Sequence, residues 1–204
     1  SSGSLRLAPP RIAEAAGVAS GTVNEPSLEA FTNGVNMSTS FVNYTPSGGP
    51  LSFTVNGWRF DRSDYSTGNF LVGVAFDYTS DVIVKGSAPD GHAVLYVNRG
   101  RAETGFSLPT SGFYRLSFWS AARAGNVNRH VQVQLDGTVI RTLITPTTVY
   151  WKQAIRLPYL TAGAHTLGFE GIGTNSTDFA RVALIDAIRV DVEQALAAAP
   201  VTAA

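Results

Sequence analysis

Apolar and polar residues alternate most cleanly between Gly112 and Leu143, GFYRLSFWSAARAGNVNRHVQVQLDGTVIRTL. Tyr114, Leu116 and Phe118 fall in one phase, and Arg115, Ser117 and Trp119 in the other. Val131, Val133 and Leu135 repeat the split against His130, Gln132, Gln134 and Asp136. A period of two means strands with one face buried and one face wet. Asp136-Gly137 between alternating runs is a strong hairpin signal. The wet phase carries Trp, Arg and two Gln, a composition suited to a binding surface.

Gly, Pro, Asn and Asp punctuate the rest of the chain in the same way. Strands are expected near Leu51–Phe60, Phe70–Phe76, Ala93–Asn98, Ala102–Ser107, Gly112–Ala121, Val131–Leu135, Thr138–Leu143, Val149–Leu157, Gly163–Glu170 and Arg181–Val192. No long segment of residues 21–193 keeps a helical period, and no internal repeat is visible. Many short strands around one core predict an all-β fold, an antiparallel β-sandwich of jelly-roll type. It spans residues 21–193, between an Ala- and Pro-rich N-terminal extension (1–20) and an Ala-rich C-terminal tail (194–204). Trp58, Phe60, Phe106, Phe118, Phe169 and Trp151 are expected in the core.

At 204 residues the chain is long enough for a substantial core. It is 44% hydrophobic and only 15% charged, with 15 basic and 15 acidic residues. That balance exerts no pull toward nucleic acid or an anionic membrane surface. No stretch approaches the ~20 apolar residues needed to insert across a bilayer as a helix. Cysteine is absent, which removes disulfides, zinc–thiolate sites and cysteine nucleophiles.

Short motifs follow one another in an order that resembles a known family. Val23-Asn24-Glu25-Pro26-Ser27-Leu28-Glu29 opens the series, followed by Asn56-Gly57-Trp58-Arg59-Phe60 and Ala88-Pro89-Asp90-Gly91-His92. Gly112-Phe113-Tyr114-Arg115-Leu116-Ser117-Phe118, Val131-Gln132-Val133-Gln134-Leu135-Asp136-Gly137 and Ala162-Gly163-Ala164-His165-Thr166-Leu167 come next, and Leu184-Ile185-Asp186-Ala187-Ile188 closes it. In sequence and spacing they resemble the galactose-binding-like β-sandwich superfamily. That group includes bacterial carbohydrate-binding modules, the plant cell-wall domain of unknown function 642 and many bacterial surface proteins. Leu28 stands where Phe is usual, and Ala187 where Asn or Asp is usual. The resemblance implies an extracellular or cell-surface protein of bacterial type that binds a polysaccharide or surface glycan. It also implies a structural Ca²⁺ where the first and last strands meet, with Glu29 and Asp186 at the matching positions. Calcium takes six to eight oxygen ligands. The alternative role for Asp186, read as sharing a core-facing phase with Leu184, Ile188 and Val190, is to cap backbone amides or pair with Arg181.

No catalytic motif is present: there is no G-x-S-x-G elbow, H-E-x-x-H pair or phosphate loop. His92, His130 and His165 lack metal-ligand spacing. Asp61, Asp64, Asp77, Asp81 and Asp90 could supply a carboxylate pair for glycoside hydrolysis, but Asp is also a routine turn former. The chain is therefore expected not to be an enzyme.

Sugars present apolar C–H faces to aromatic rings and hydroxyls to Asn, Gln and Arg. The expected carbohydrate site is Trp119, Arg115, Gln132 and Gln134 on wet strand faces, forming one patch if the two strands pair. Arg123 and Asn126 join it from the neighbouring loop, and Tyr150, Lys152 and Arg156 widen it. A different outcome is a structural or adhesive subunit of an extracellular assembly, self-associating through its terminal tails or attached to a larger parent protein. Its motivation is the zero net charge and the two low-complexity ends.

Overall fold

The computed structural model describes residues 22–23, 28, 41–43, 52–62, 72–77, 87–123, 129–145, 147–172 and 182–193. The two tails lie outside them. The described residues form an all-β, fully antiparallel two-sheet sandwich. Thirteen strands are described: β1 (Thr22–Val23), β2 (Phe41–Asn43), β3 (Ser52–Val55), β4 (Trp58–Arg62), β5 (Val72–Phe76), β6 (Ala93–Val97), β7 (Gly100–Leu108), β8 (Tyr114–Ala122), β9 (Arg129–Leu135), β10 (Thr138–Thr145), β11 (Trp151–Arg156), β12 (Gly163–Ile172) and β13 (Ala183–Val192). One sheet runs β10-β9-β12-β7-β4-β3, with β1 also pairing β7. The other runs β11-β8-β13-β6-β5-β2.

The expected strands are close to those observed, with instructive exceptions. Leu51–Phe60 is a hairpin, not one strand. Asn56 and Gly57 adopt positive φ (50° and 76°) and turn β3 back onto β4. Asp136 and Gly137 do the same (48° and 76°) between β9 and β10. Paired positive φ values make the two-residue turn whose twist matches that of the flanking strands. Strands β1 and β2 were not expected.

The inward phase of every long strand meets in one core. From the β8 sheet come Tyr114, Leu116, Phe118, Ile185, Ile188 and Val190. From the other sheet come Trp58, Phe60, Phe106, Val133, Leu167 and Phe169. Phe118 and Phe169 meet across the sandwich edge to face, with ring centres 5.2 Å apart and planes at 77°. Such a pair adds about 0.5–1.5 kcal/mol beyond the burial of its area. Leu28 is wholly buried in the same core with a left-handed backbone (φ 61°). Trp151 does not belong to the core and is 60% exposed. Its inward phase was read correctly, but it is the first residue of an edge strand and, among the described residues, has a neighbouring strand on one side only.

His165 lies within β12 and ties the β9–β10 turn to that strand. Its Nδ1 is 2.8 Å from Asp136 Oδ2 and its Nε2 is 2.8 Å from the Thr161 carbonyl. Asp136 Oδ1 also accepts the Thr166 N–H at 2.8 Å. With both ring nitrogens facing oxygens, the doubly protonated ring is favoured. Burial alone would lower the pKa. The Thr161 carbonyl, then the Asp136 hydrogen bond and charge, more than offset it and hold the pKa above its ordinary value. A raised folded-state pKa contributes stability that is full below the unfolded value and is lost as pH rises through the folded one. The melting temperature should therefore fall as pH rises through neutrality, and Asp136→Asn should flatten that slope. A scan of melting temperature against pH on both proteins checks this.

Candidate functional site

The outward phase of β8 presents Arg115, Ser117 and Trp119. Pairing with β11 sets Arg156 opposite Arg115, Ala154 opposite Ser117 and Lys152 opposite Trp119. On the other flank, β13 sets Asp191 beside Arg115 and Arg189 beside Ser117. At Asp186–Arg189 the β8–β13 register shifts, and Ala187 has φ 50°. This bulge reverses the phase of β13. Leu184 and Asp186 therefore point to the outer face, whereas Ile188 and Val190 point into the core. The expectation that Asp186 shares a core-facing phase with Ile188 and Val190 is corrected: they lie on opposite sides of the bulge.

Asp186 is nonetheless fully buried, because a turn folds over it. Its Oδ2 accepts the Asp90 N–H at 2.9 Å and its Oδ1 the Ala187 N–H at 2.7 Å. Asp77, also buried, accepts the Ala88 N–H at 3.1 Å and pairs with His92 Nδ1 at 2.7 Å. The Asp77 N–H donates to the His92 carbonyl at 3.0 Å. Two carboxylates thus pin the Ala88–His92 turn to the outer face. Beneath it a second apolar cluster forms from Ala75, Val94, Tyr96, Val182 and Leu184, covered by Ala88 and Tyr150.

The pinned turn stands as a wall beside Trp119. A hollow of about 390 Å³ opens there, walled by Pro89 and Asp90 and by Lys152 opposite. Its floor holds Ser117, the half-buried Trp119, Ala187, Arg189 and Asp191. The volume suits one small ligand or part of a longer one. An indole face with ammonium, guanidinium and carboxylate groups around it can stack on a C–H face and hydrogen-bond the surrounding hydroxyls.

Further along β8, Glu193 sits between the two like-charged arginines. Its Oε1 accepts from Arg115 Nη2 at 2.7 Å, and Arg156 Nε forms an ion pair with its Oε2 at 2.6 Å. The Arg115 hydrogen bond, then the charges of both guanidiniums, hold the Glu193 carboxyl below the usual carboxylate range against partial desolvation.

The expected single patch is not formed. Strands β8 and β9 belong to different sheets, so Trp119 and Arg115 face outward on one side of the sandwich, and Gln132 and Gln134 on the other. Gln134 is 6% exposed and its amide donates to Glu170 at 2.5 Å, which makes it part of that face's own packing. Tyr150 covers the second apolar cluster. Its enclosed hydroxyl finds no hydrogen-bond partner among the described residues, and burial, then the charges of Asp186 and Asp77, push its pKa up. Arg123 is half-buried at the far end of β8, where its N–H donates to the Val182 carbonyl at 3.0 Å. Asn126 and Glu29 lie outside the described residues.

Arg189 and Asp191 were missed, although they alternate with Val190 and could have been placed outward by period alone. Asp90 carried no such signal, since its tie to Asp186 joins residues 96 apart in sequence.

We propose that Asp186 serves as a backbone clamp and not as a calcium ligand; Glu29, the other expected ligand, lies outside the described residues. Both Asp186 oxygens accept backbone N–H groups, and among the described residues no three acids or histidines gather to hold a metal ion. Asp186 acts as the backbone clamp. Asp186→Asn should therefore cost roughly 1–3 kcal/mol in urea unfolding, the value of a buried donor left without its charged acceptor. Chelation should leave the wild-type melting temperature unchanged. A fall on chelation that added calcium reverses would overturn this reading.

No protein-family model and no curated protein matches the chain. Among solved structures, it is similar to a family 61 carbohydrate-binding module in complex with β-1,4-galactotriose, at 16% identity over 76% of this chain and 100% of the other, with TM-score 0.48. It is similar to a family 22 xylan-binding domain from Paenibacillus barcinonensis, at 14% identity over 70% and 89%, with TM-score 0.45. It is also similar to a family 35 carbohydrate-binding module from Clostridium thermocellum, at 20% identity over 48% and 78%, with TM-score 0.38. What the Trp119 surface does is read from this chain's own residues.

Proposed function

We propose that this chain is a non-catalytic, exported carbohydrate-binding domain that docks a glycan on the outer face of the β8 sheet. The observation that carries the reading is the half-buried Trp119 in a hollow that Lys152, Arg189, Asp191 and Asp90 also line. Stacking holds the apolar face of a sugar ring, and the charged groups hydrogen-bond its hydroxyls. The buried acids behind the wall of the hollow, Asp77 and Asp186, are committed to backbone amides, and Asp61 is paired with Arg59 at 3.0 Å. These roles support a holding surface more than a cleaving one. An open site of this kind excludes little water and binds weakly, at roughly micromolar to millimolar affinity. Affinity electrophoresis in gels containing xylan, β-1,4-galactan or β-1,4-mannan tests the proposal. At least one polysaccharide should retard the wild type, and Trp119→Ala should abolish the retardation while leaving the melting temperature within a few degrees. Unchanged retardation of the variant would refute the site.

A second reading, a self-associating subunit of an extracellular assembly, is favoured by a different observation. The edge strands β10 and β11, one from each sheet, carry exposed apolar side chains in and beside them. Val139 is 44% exposed, Ile144 52%, Val149 66% and Trp151 60%. Open strand edges with apolar flanks favour pairing with another chain. Light scattering should then give a mass above the monomer that Trp151→Glu reduces. A monomer at all concentrations removes this reading.

A further inference from the structure

The outward phase of β8 continues past Arg115 to Phe113, which lies just before the strand. Phe113 is 46% exposed and Tyr159 59% exposed. Their rings meet edge to face, with centres 5.4 Å apart and planes at 80°. The Arg156 guanidinium lies 5.2 Å from the centre of the Phe113 ring. This end is held firmly. Gly112 and Leu160 exchange backbone hydrogen bonds at 2.9 Å in both directions, and the Glu193 N–H donates to the Phe113 carbonyl at 2.9 Å. Two exposed aromatic rings on a braced backbone are an expensive arrangement in water, since each leaves a large apolar surface wet.

Between this pair and Trp119 the surface dips. Ser117 and Ala154 are cross-strand partners with small side chains, flanked by the larger pairs Trp119–Lys152 and Arg115–Arg156. Phe113 and Trp119 are six positions apart, roughly 20 Å at the rise of a strand. The face therefore carries an aromatic group at each end, with the small Ser117–Ala154 pair and the Arg115–Arg156 pair in register between them.

We infer that the ligand is a linear glycan chain bound along its length, with one sugar unit on Trp119, another on the Phe113–Tyr159 pair, and the units between them hydrogen-bonded by Arg115 and Arg156. The inference rests on the sugar-binding reading of the Trp119 hollow and adds to it a second subsite and a preference for chains over free ends. Arg115 and Arg156 each present several N–H donors, and one contact from each to Glu193 restrains them in advance, which lessens the side-chain entropy lost when a chain docks.

Calorimetric titration with β-1,4-linked xylose, mannose and galactose oligosaccharides, from disaccharide to hexasaccharide, tests this on the full chain. Affinity for the recognised sugar should rise about ten-fold across the series, the value of one further stacking contact. The double variant Phe113→Ala/Tyr159→Ala should erase that rise and leave the disaccharide affinity unchanged. Both side chains are exposed, and an unchanged melting temperature of the variant confirms intact folding. Affinity that is flat with chain length, or a rise that survives the double substitution, overturns the second subsite. If Trp119→Ala abolishes binding while the double variant is silent, only the extension fails. If no series binds, or Trp119→Ala leaves binding intact, the Trp119 reading itself fails and the extension with it.

Discussion

The apolar layer between the two sheets sets the phase of every strand, and the Phe118–Phe169 contact lies within it. Because side chains alternate at a period of two, burying Tyr114, Leu116 and Phe118 forces Arg115, Ser117 and Trp119 to the opposite face. A slip of one residue would place an arginine in the core, at a cost no surface contact could offset. The outward face of β8 is thus a by-product of the core. Its register is as secure as the packing behind it, and the cross-strand neighbours Lys152, Arg156, Arg189 and Asp191 inherit that security.

A second constraint shapes the face into a site. The bulge at Ala187 turns Asp186 outward, where an ionised carboxylate would ordinarily be solvated. Here it is covered instead, and burial obliges it to find donors. The Asp90 and Ala187 amides supply them, while the Ala88 amide and the His92 ring do the same for Asp77. Two buried acids therefore reinforce a turn that otherwise rests on the Ala88 packing and one backbone hydrogen bond. That turn walls the hollow beside Trp119. The shape of the hollow depends in this way on polar groups buried behind its wall.

Much of the fold was legible because period two is a local signal. The inward residues of β8, β9 and β12, and the Asp136-Gly137 turn, follow from it directly. The Asn56-Gly57 hairpin was equally legible and went unread inside a longer apolar run. Trp151 shows the limit: its phase was right, but exposure depends on whether a neighbouring strand covers the position, and at this edge none among the described residues does on one side. Gln132 and Gln134 show a second limit. Alternation says that a residue is wet, not which of two sheets carries it. Strands β8 and β9 lie in different sheets, and nothing in the composition of the chain between them announces it.

The sequence by itself determined the class of fold, the burial phase of its long strands, the lack of cysteine chemistry, and the presence of Trp119 and Arg115 on a wet face. These depend on residue type and short-range spacing. The tertiary structure alone decided which wet residues share a surface, that Asp186 clamps a turn, and that Phe113, Tyr159, Arg156 and Glu193 meet at one end of β8. Those facts come from pairing across long separations and from a one-residue bulge. Pairing and bulges are fixed by the energy of the whole packed core, which no local window of sequence contains.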